Sequence, residues 1–219
     1  MTQPTHDETL ERFGLERLRQ GLDLQLTTAG DIALTRDGDL ALGNRQSSAL
    51  FRLVQRWRQS KSTLDDLFGP MARASLQLDA LIADRENDRG PRLWKEPAAY
   101  HEVTDRILEY QSISSVLAGA VFVVLNNLLQ RFRLDLGASL IESAMAAPAF
   151  NGRSLGDVVA AAAANFRHYD EWASTEVPTK IQLASMVVLC DLLDQPVQTE
   201  RGFPTIRSNG MRNGSLEDQ

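Results

Sequence analysis

The side chains most capable of chemistry are gathered in "NFRHYDEW", residues 165–172, directly after the inert run "VVAAAA". On a helix, Asn165, His168, Tyr169 and Trp172 fall at i, i+3, i+4 and i+7 and share one face. Arg167 and Glu171 are i, i+4 neighbours on an adjacent stripe and can pair. A catalytic reading turns Asn165 and His168 into a cleft, with Asp170 or Glu171 tuning the imidazole. A structural reading has Phe166 and Trp172 anchor the end of a core helix while Asn165 and His168 bond to neighbouring backbone. The structural reading is preferred. Asn165, His168 and Glu171 therefore stand as candidates, and no catalytic residue is assigned.

Elsewhere reactive groups are sparse. Cys190 is the single cysteine and lies in apolar "MVVLCDLL", which predicts a buried, inert thiol. His6, His101 and His168 have no zinc-ligand spacing, and neither G-x-G-x-x-G nor a Walker pattern occurs, so no metal and no cofactor are expected. Arg45, Arg52, Arg56 and Arg58, followed by Lys61, form a basic stripe that could touch phosphate or a protein partner. A solvated helix face explains the same stripe more simply. Asn126 and Asn127 interrupt an apolar helix, and such amides can fix register between helices or subunits.

These groups need a scaffold, and 219 residues at 43% hydrophobic are enough to bury a core. The net charge of -6 argues against a general electrostatic grip on nucleic acid, although local RNA contact stays open. One cysteine and the polar "MTQPTHDETLERF" start point to a cytoplasmic protein without a secretory signal. Residues 110–130 are uncharged over about a bilayer's span, but three Ser, two Gln and two Asn favour a helix in a soluble core, with no membrane role.

Periodicity predicts a mainly α fold: a bundle of five to seven helices with a small N-terminal antiparallel β-meander. An N-terminal helical arm occupies 1–20. A single domain spans 21–195, with the meander at 22–43 and the bundle at 45–195, and 196–219 form an extended or mobile tail. In the meander Leu22, Leu24, Leu26, Ile32, Leu34, Leu40 and Leu42 alternate with polar residues, as in half-buried strands. Asp37-Gly38 predicts a type I′ hairpin turn. Helices are expected near 44–57, 71–84, 97–134, 136–147, 155–173 and 178–194, with a short one at "TLDDLF" ended by Gly69-Pro70. The helix at 97–134 is the expected central element of the core. No internal repeat is read from the pattern.

The order Asn, aromatic, basic, His, acidic pair, Trp in "NFRHYDEW" resembles a motif of some HEPN superfamily proteins. That resemblance implies a helical protein acting in bacterial stress or defence. Active ribonucleases of that superfamily carry Arg, four to six residues, then His. Here those positions before His168 are Ala161, Ala162 and Ala163. The resemblance thus implies a non-enzymatic or catalytically degenerate binding protein with a protein or RNA partner. An RNA-processing enzyme centred on His168 would need an arginine supplied by folding, from Arg106, Arg131 or Arg133. "GDIALTRDGDLALGN" followed by a helix and "TLDDLFG", within 22–69, is similar to the opening of small phage-tail baseplate wedge proteins. That likeness implies a structural subunit of a tail or injection apparatus that self-associates or docks through its hairpin.

Overall fold

A computed structural model describes residues 4–19, 24–35, 38–87, 96–174, 179–194, 198–200 and 203–205. The chain is mainly helical, as the periodicity predicts. Where the sequence suggests one domain over 21–195, the chain divides into two compact units, Met1–Ser143 and Ala144–Gln219.

The first unit opens with α1 (His6–Arg12). Thr5 caps it, accepting from the Glu8 amide at 3.2 Å, while the Glu8 carboxylate accepts from the Thr5 amide at 2.7 Å. A 3-10 turn at Glu16–Arg19 follows. Leu10 and Leu18 are buried against Val54, so this segment closes a core rather than extending as an arm.

Helix α2 runs unbroken from Arg45 to Asn87, 43 residues with Pro70 inside. The sequence predicts a stop at Gly69-Pro70; the helix passes through it. Proline forfeits one intrahelical hydrogen bond and crowds the preceding turn. Glycine beside it leaves space, the nearest atom to a hypothetical Cβ at Gly69 being an Arg73 guanidinium nitrogen at 3.5 Å.

Helix α3 (Pro97–Leu136) returns alongside α2. Ile107, Ser114, Val121 and Leu128, seven residues apart, form its inner stripe. Ile107, Val121 and Leu128 are buried, and Ser114 Oγ meets Ser75 Oγ of α2 at 2.8 Å. The rest of α3 is less covered than a central core helix should be: its most apolar 18-residue window is only 22% buried. By length and composition this helix could cross a membrane. Gly137 ends it at φ 65°, its amide donating to the Leu134 carbonyl at 3.0 Å and that of Ala138 to the Arg133 carbonyl at 3.1 Å. A short α4 (Leu140–Ala144) follows.

Between α1 and α2 the expected meander is present as three single bridges, Leu24–Leu42, Leu26–Ile32 and Leu34–Leu40, all antiparallel. Three strands of a flat meander cannot all be mutually antiparallel, so this is a different object. The Gln25 amide donates to the Ala41 carbonyl at 2.9 Å, Ala41 to Ala33 at 2.9 Å, and Ala33 to Gln25 at 2.8 Å. The three bonds close a ring, with one bridged pair in each of three arms around it.

An eight-residue repeat underlies the ring, "LQLTTAGD" at 24–31, "IALTRDGD" at 32–39 and the start of a third copy, "LALG" at 40–43. It corrects the reading that no repeat is present. Both complete copies close identically. The Thr27 amide donates to the Asp31 carbonyl at 2.8 Å and that of Thr35 to Asp39 at 2.7 Å. Thr27 Oγ accepts from Asp31 at 3.2 Å and Thr35 Oγ from Asp39 at 3.1 Å. Gly30 and Gly38 sit at φ 86° and 85°. At 28–30 this is a three-residue connection ending in a left-handed glycine; the type I′ turn expected at Asp37-Gly38 falls on Asp37, outside the described residues.

The alternation also faces the other way from the expectation. Gln25, Ala33 and Ala41 at the centre are half-buried, while Leu24, Leu26, Ile32, Leu34 and Leu40 are exposed and only Leu42 is half-buried. Leu22 and Asp37 lie outside the described residues.

The second unit begins with a two-residue hairpin, β1 (Ala149–Phe150) paired with β2 (Arg153–Ser154). Asn151 and Gly152 turn it at φ 47° and 77°, so a type I′ turn does occur, at Asn-Gly. Ser154 then caps α5 (Leu155–Ser174), accepting from the Asp157 amide at 3.1 Å. Helix α6 (Lys180–Leu192), with Thr179 and Gln182 as its capping box, packs on α5. Arg153 forks onto the Asp191 carboxylate at 2.8 and 2.5 Å, and the Asn151 amide caps α6 at the Asp191 and Leu192 carbonyls. Within the predicted tail, β3 (Gln198–Glu200) and β4 (Phe203–Thr205) form an antiparallel pair.

Candidate functional site

In α5 the apolar run does what its composition suggests: Val158, Val159, Ala161 and Ala163 are buried. The polar motif begins where burial ends. Asn165 is half-buried, and Phe166, Arg167 and His168 are exposed. His168 itself has non-helical dihedrals, φ -121° and ψ 15°, so the helix is kinked there; the Tyr169 and Trp172 side chains lie outside the described residues. The Glu171 side chain lies outside the described residues. Of the three candidates, the structure places Asn165 and His168 on the outer end of a helix. Of the arginines that could serve His168, Arg133 donates to the Ala138 carbonyl at 3.1 Å, and Arg131 lines a cavity of the first unit; Arg106 is exposed on α3.

That cavity, about 610 Å³, lies between the three-armed element and the junction of α2 with α3. Gln25, Leu34 and Thr35 line one side, and Arg45, Ser48, Arg52, Arg131 and Asp135 the other. Three of the four stripe arginines converge here on the last turn of α3. Arg45 Nε donates to the Asp135 carbonyl at 3.0 Å, satisfying a helix-end acceptor with a cation. Arg52, 8% exposed, donates to Ser48 Oγ at 2.6 Å and holds its Nε 3.2 Å from Asp135 Oδ1. The angle there is too poor for a hydrogen bond, which leaves Nε without one; at this distance the contact is ionic. Arg56 completes the cluster on Asp135 Oδ2 at 2.5 Å and approaches Asp39 at 3.7 Å.

The stripe read as a solvated face is therefore a clamp joining both helices to the repeat. Arg58 points elsewhere, to the Pro4 carbonyl at 3.2 Å. Gly137 is part of the clamp too: a Cβ there would fall 1.9 Å from Arg45 Nη2. The Gln25 side-chain amide, donating to the Gly43 carbonyl, ties the repeat to the start of α2.

Chemically, the cavity offers cations already held by protein acceptors and no nucleophile with an adjacent base. Cys190 is fully buried, and desolvation, then the Asp191 charge, push its thiol pKa up, away from reactivity. Among the described residues no group of three or more His, Cys, Asp or Glu could hold a metal. Asp135 and Gly137 escape sequence reasoning because the clamp joins groups about ninety positions apart; the one local signal is Asp beside a terminal Gly in "RLDLG". No family model matches this chain, nor does any curated protein or solved structure.

Proposed function

We propose that this chain is a non-enzymatic assembly protein that docks onto a protein partner through the apolar face of its three-armed element, as a subunit of a phage tail or related injection apparatus. The carrying observation is that face. Five leucine or isoleucine side chains on the three arms of a hydrogen-bonded ring are exposed, from Leu24 at 45% to Leu26 at 62%. Their uncovered surface is on the order of 500 Å², a patch size that on a monomer is often functional. A fold that needed these leucines for its own core would have turned them inward, because a one-residue shift of the alternation exchanges the two faces. The residues bearing this face are those that resemble baseplate wedge proteins.

The HEPN-like reading draws its support from the α5–α6 pair and its terminal motif, but exposure of His168 at a break in the helix supports a surface role rather than a reaction centre. The distinguishing experiment is sedimentation velocity across a concentration series, with RNA binding by fluorescence anisotropy beside it. The assembly reading expects association beyond a small oligomer that Leu26→Ser/Leu34→Ser abolishes, and no RNA affinity. RNA binding that survives in the double variant, without association, would overturn it.

A further inference from the structure

Helix α3 carries a second apolar seam, separate from its contact with α2. Ile113, Val116, Ala120, Val123, Asn127, Gln130 and Leu134 follow one another at intervals of three and four, the a/d spacing of a coiled coil. Ile113, Val116 (54%), Asn127, Gln130 and Leu134 are exposed and Ala120 and Val123 half-buried, whereas the inner stripe at 107, 121 and 128 is buried. Two heptad-spaced seams on one helix give it room for two helical partners, and α2 supplies one.

We propose that a second copy of this chain docks along this seam, α3 against α3, parallel and in register. Lipid is a poor occupant. The Ser75–Ser114 and Arg56–Asp135 contacts bracket the stretch of α2 that runs beside the apolar part of α3. That stretch carries Lys61, Asp65, Asp66 and Arg73, which a membrane-spanning α3 would drag into hydrocarbon.

The extent of the seam suits a dimer. Its 22 positions span roughly 33 Å at 1.5 Å per residue. Covering a helix face of that length buries on the order of 500 Å² per chain, or about 1,000 Å² in all, where specific interfaces begin. The order of residues sets the direction. The seam is apolar from 113 to 123 and amide-bearing at 127 and 130. In parallel register Gln130 faces its own copy and can bond to it, in the way a polar seam residue fixes register. An antiparallel pairing centred on Ala120 would set Gln130 against Tyr110.

Sedimentation equilibrium of the full chain tests this, with circular dichroism as a folding control. Wild type should be a dimer at low concentration, below the onset of the larger association through the leucine face. Val116→Glu/Val123→Glu should raise the dissociation constant at least about a hundredfold, through like charges at the interface, with helicity unchanged. Leu26→Ser/Leu34→Ser should leave the dimer intact, so loss of the three-armed docking face and loss of the seam give different results. Under mild oxidation Val116→Cys should cross-link to itself, the buried Cys190 of wild type serving as the unreactive control. A monomeric wild type, partition of the chain into lipid vesicles, or cross-linking only between Val116→Cys and Val123→Cys chains would each overturn the proposal.

Discussion

Replacing Asp135 by Ala probes the clamp that holds the first unit together. Its carboxylate, 9% exposed, sits 3.2 Å from Arg52 and 2.5 Å from Arg56, whose side chains are 10% and 13% exposed. Solvent screens such a site little, and removing one member of a buried ion cluster costs about 3–5 kcal/mol because the remaining charges lose compensation. Arg52 keeps Ser48, and Arg56 keeps a distant Asp39. Those residual contacts place the expected loss nearer 3 kcal/mol, roughly 6–12 °C in Tm for a protein of this size. Urea titration followed by circular dichroism would read it as a lowered midpoint at unchanged slope. Combining Asp135→Ala with Arg52→Met and Arg56→Leu should recover most of the loss, since no buried charge is then orphaned. A loss below about 1 kcal/mol for Asp135→Ala alone would refute the clamp, because that is the size of an exposed pair.

Other perturbations separate local causes. Gly137→Ala should cost about 2 kcal/mol in wild type but only about 1 kcal/mol in an Arg45→Ala background, where left-handed strain remains and the collision does not; equal costs in a double-mutant cycle would contradict the close approach. Pro70→Ala should raise stability by about 1–3 kcal/mol in urea, since α2 already continues through the position and would regain a hydrogen bond. The Glu8 carboxyl is held below its ordinary range, first by the Thr5 amide and then by the Thr5 hydroxyl. A depressed folded pKa gives stability present above the unfolded value and lost as pH falls through the folded one. The Thr5 amide, which the Glu8 carboxylate accepts from, should therefore lose protection relative to its intrinsic exchange rate as the pH falls through the folded pKa, and Glu8→Gln should flatten that dependence. In the native protein Cys190 should resist thiol reagents at neutral pH and react only as the chain unfolds.

Much of the helical plan is legible because amphipathic period and capping residues are local. Helix α3 is expected at 97–134 and found at 97–136, and α5 is expected at 155–173 and found at 155–174, opened by the predicted Ser154 cap. Pro70 misleads because its usual effect is outweighed by the long packing face that α2 shares with α3. The 22–43 segment teaches more. Alternation reveals which residues share a face but carries no sign, so it could not tell that leucines face solvent and alanines the interior. The repeat is short enough to pass for ordinary alternation until the ring of bonds at 25, 33 and 41 displays its spacing of eight. In the site, arginine spacing shows a stripe on α2, yet its partner Asp135 is distant in sequence and only folding joins them. For His168, no local signal announces the break in α5 that puts it at the surface.

The exposure of the leucine face is the claim on which the account turns, and methyl NMR with a soluble paramagnetic agent measures it directly. In dilute protein the methyl groups of Leu26, Ile32, Leu34 and Leu40 should relax strongly, far more than those of buried Leu10 and Val54, and should become shielded as assembly proceeds. Methyls on the three arms already shielded in a monomer would mean that the chain covers this face itself, and would contradict the proposal that it awaits a partner.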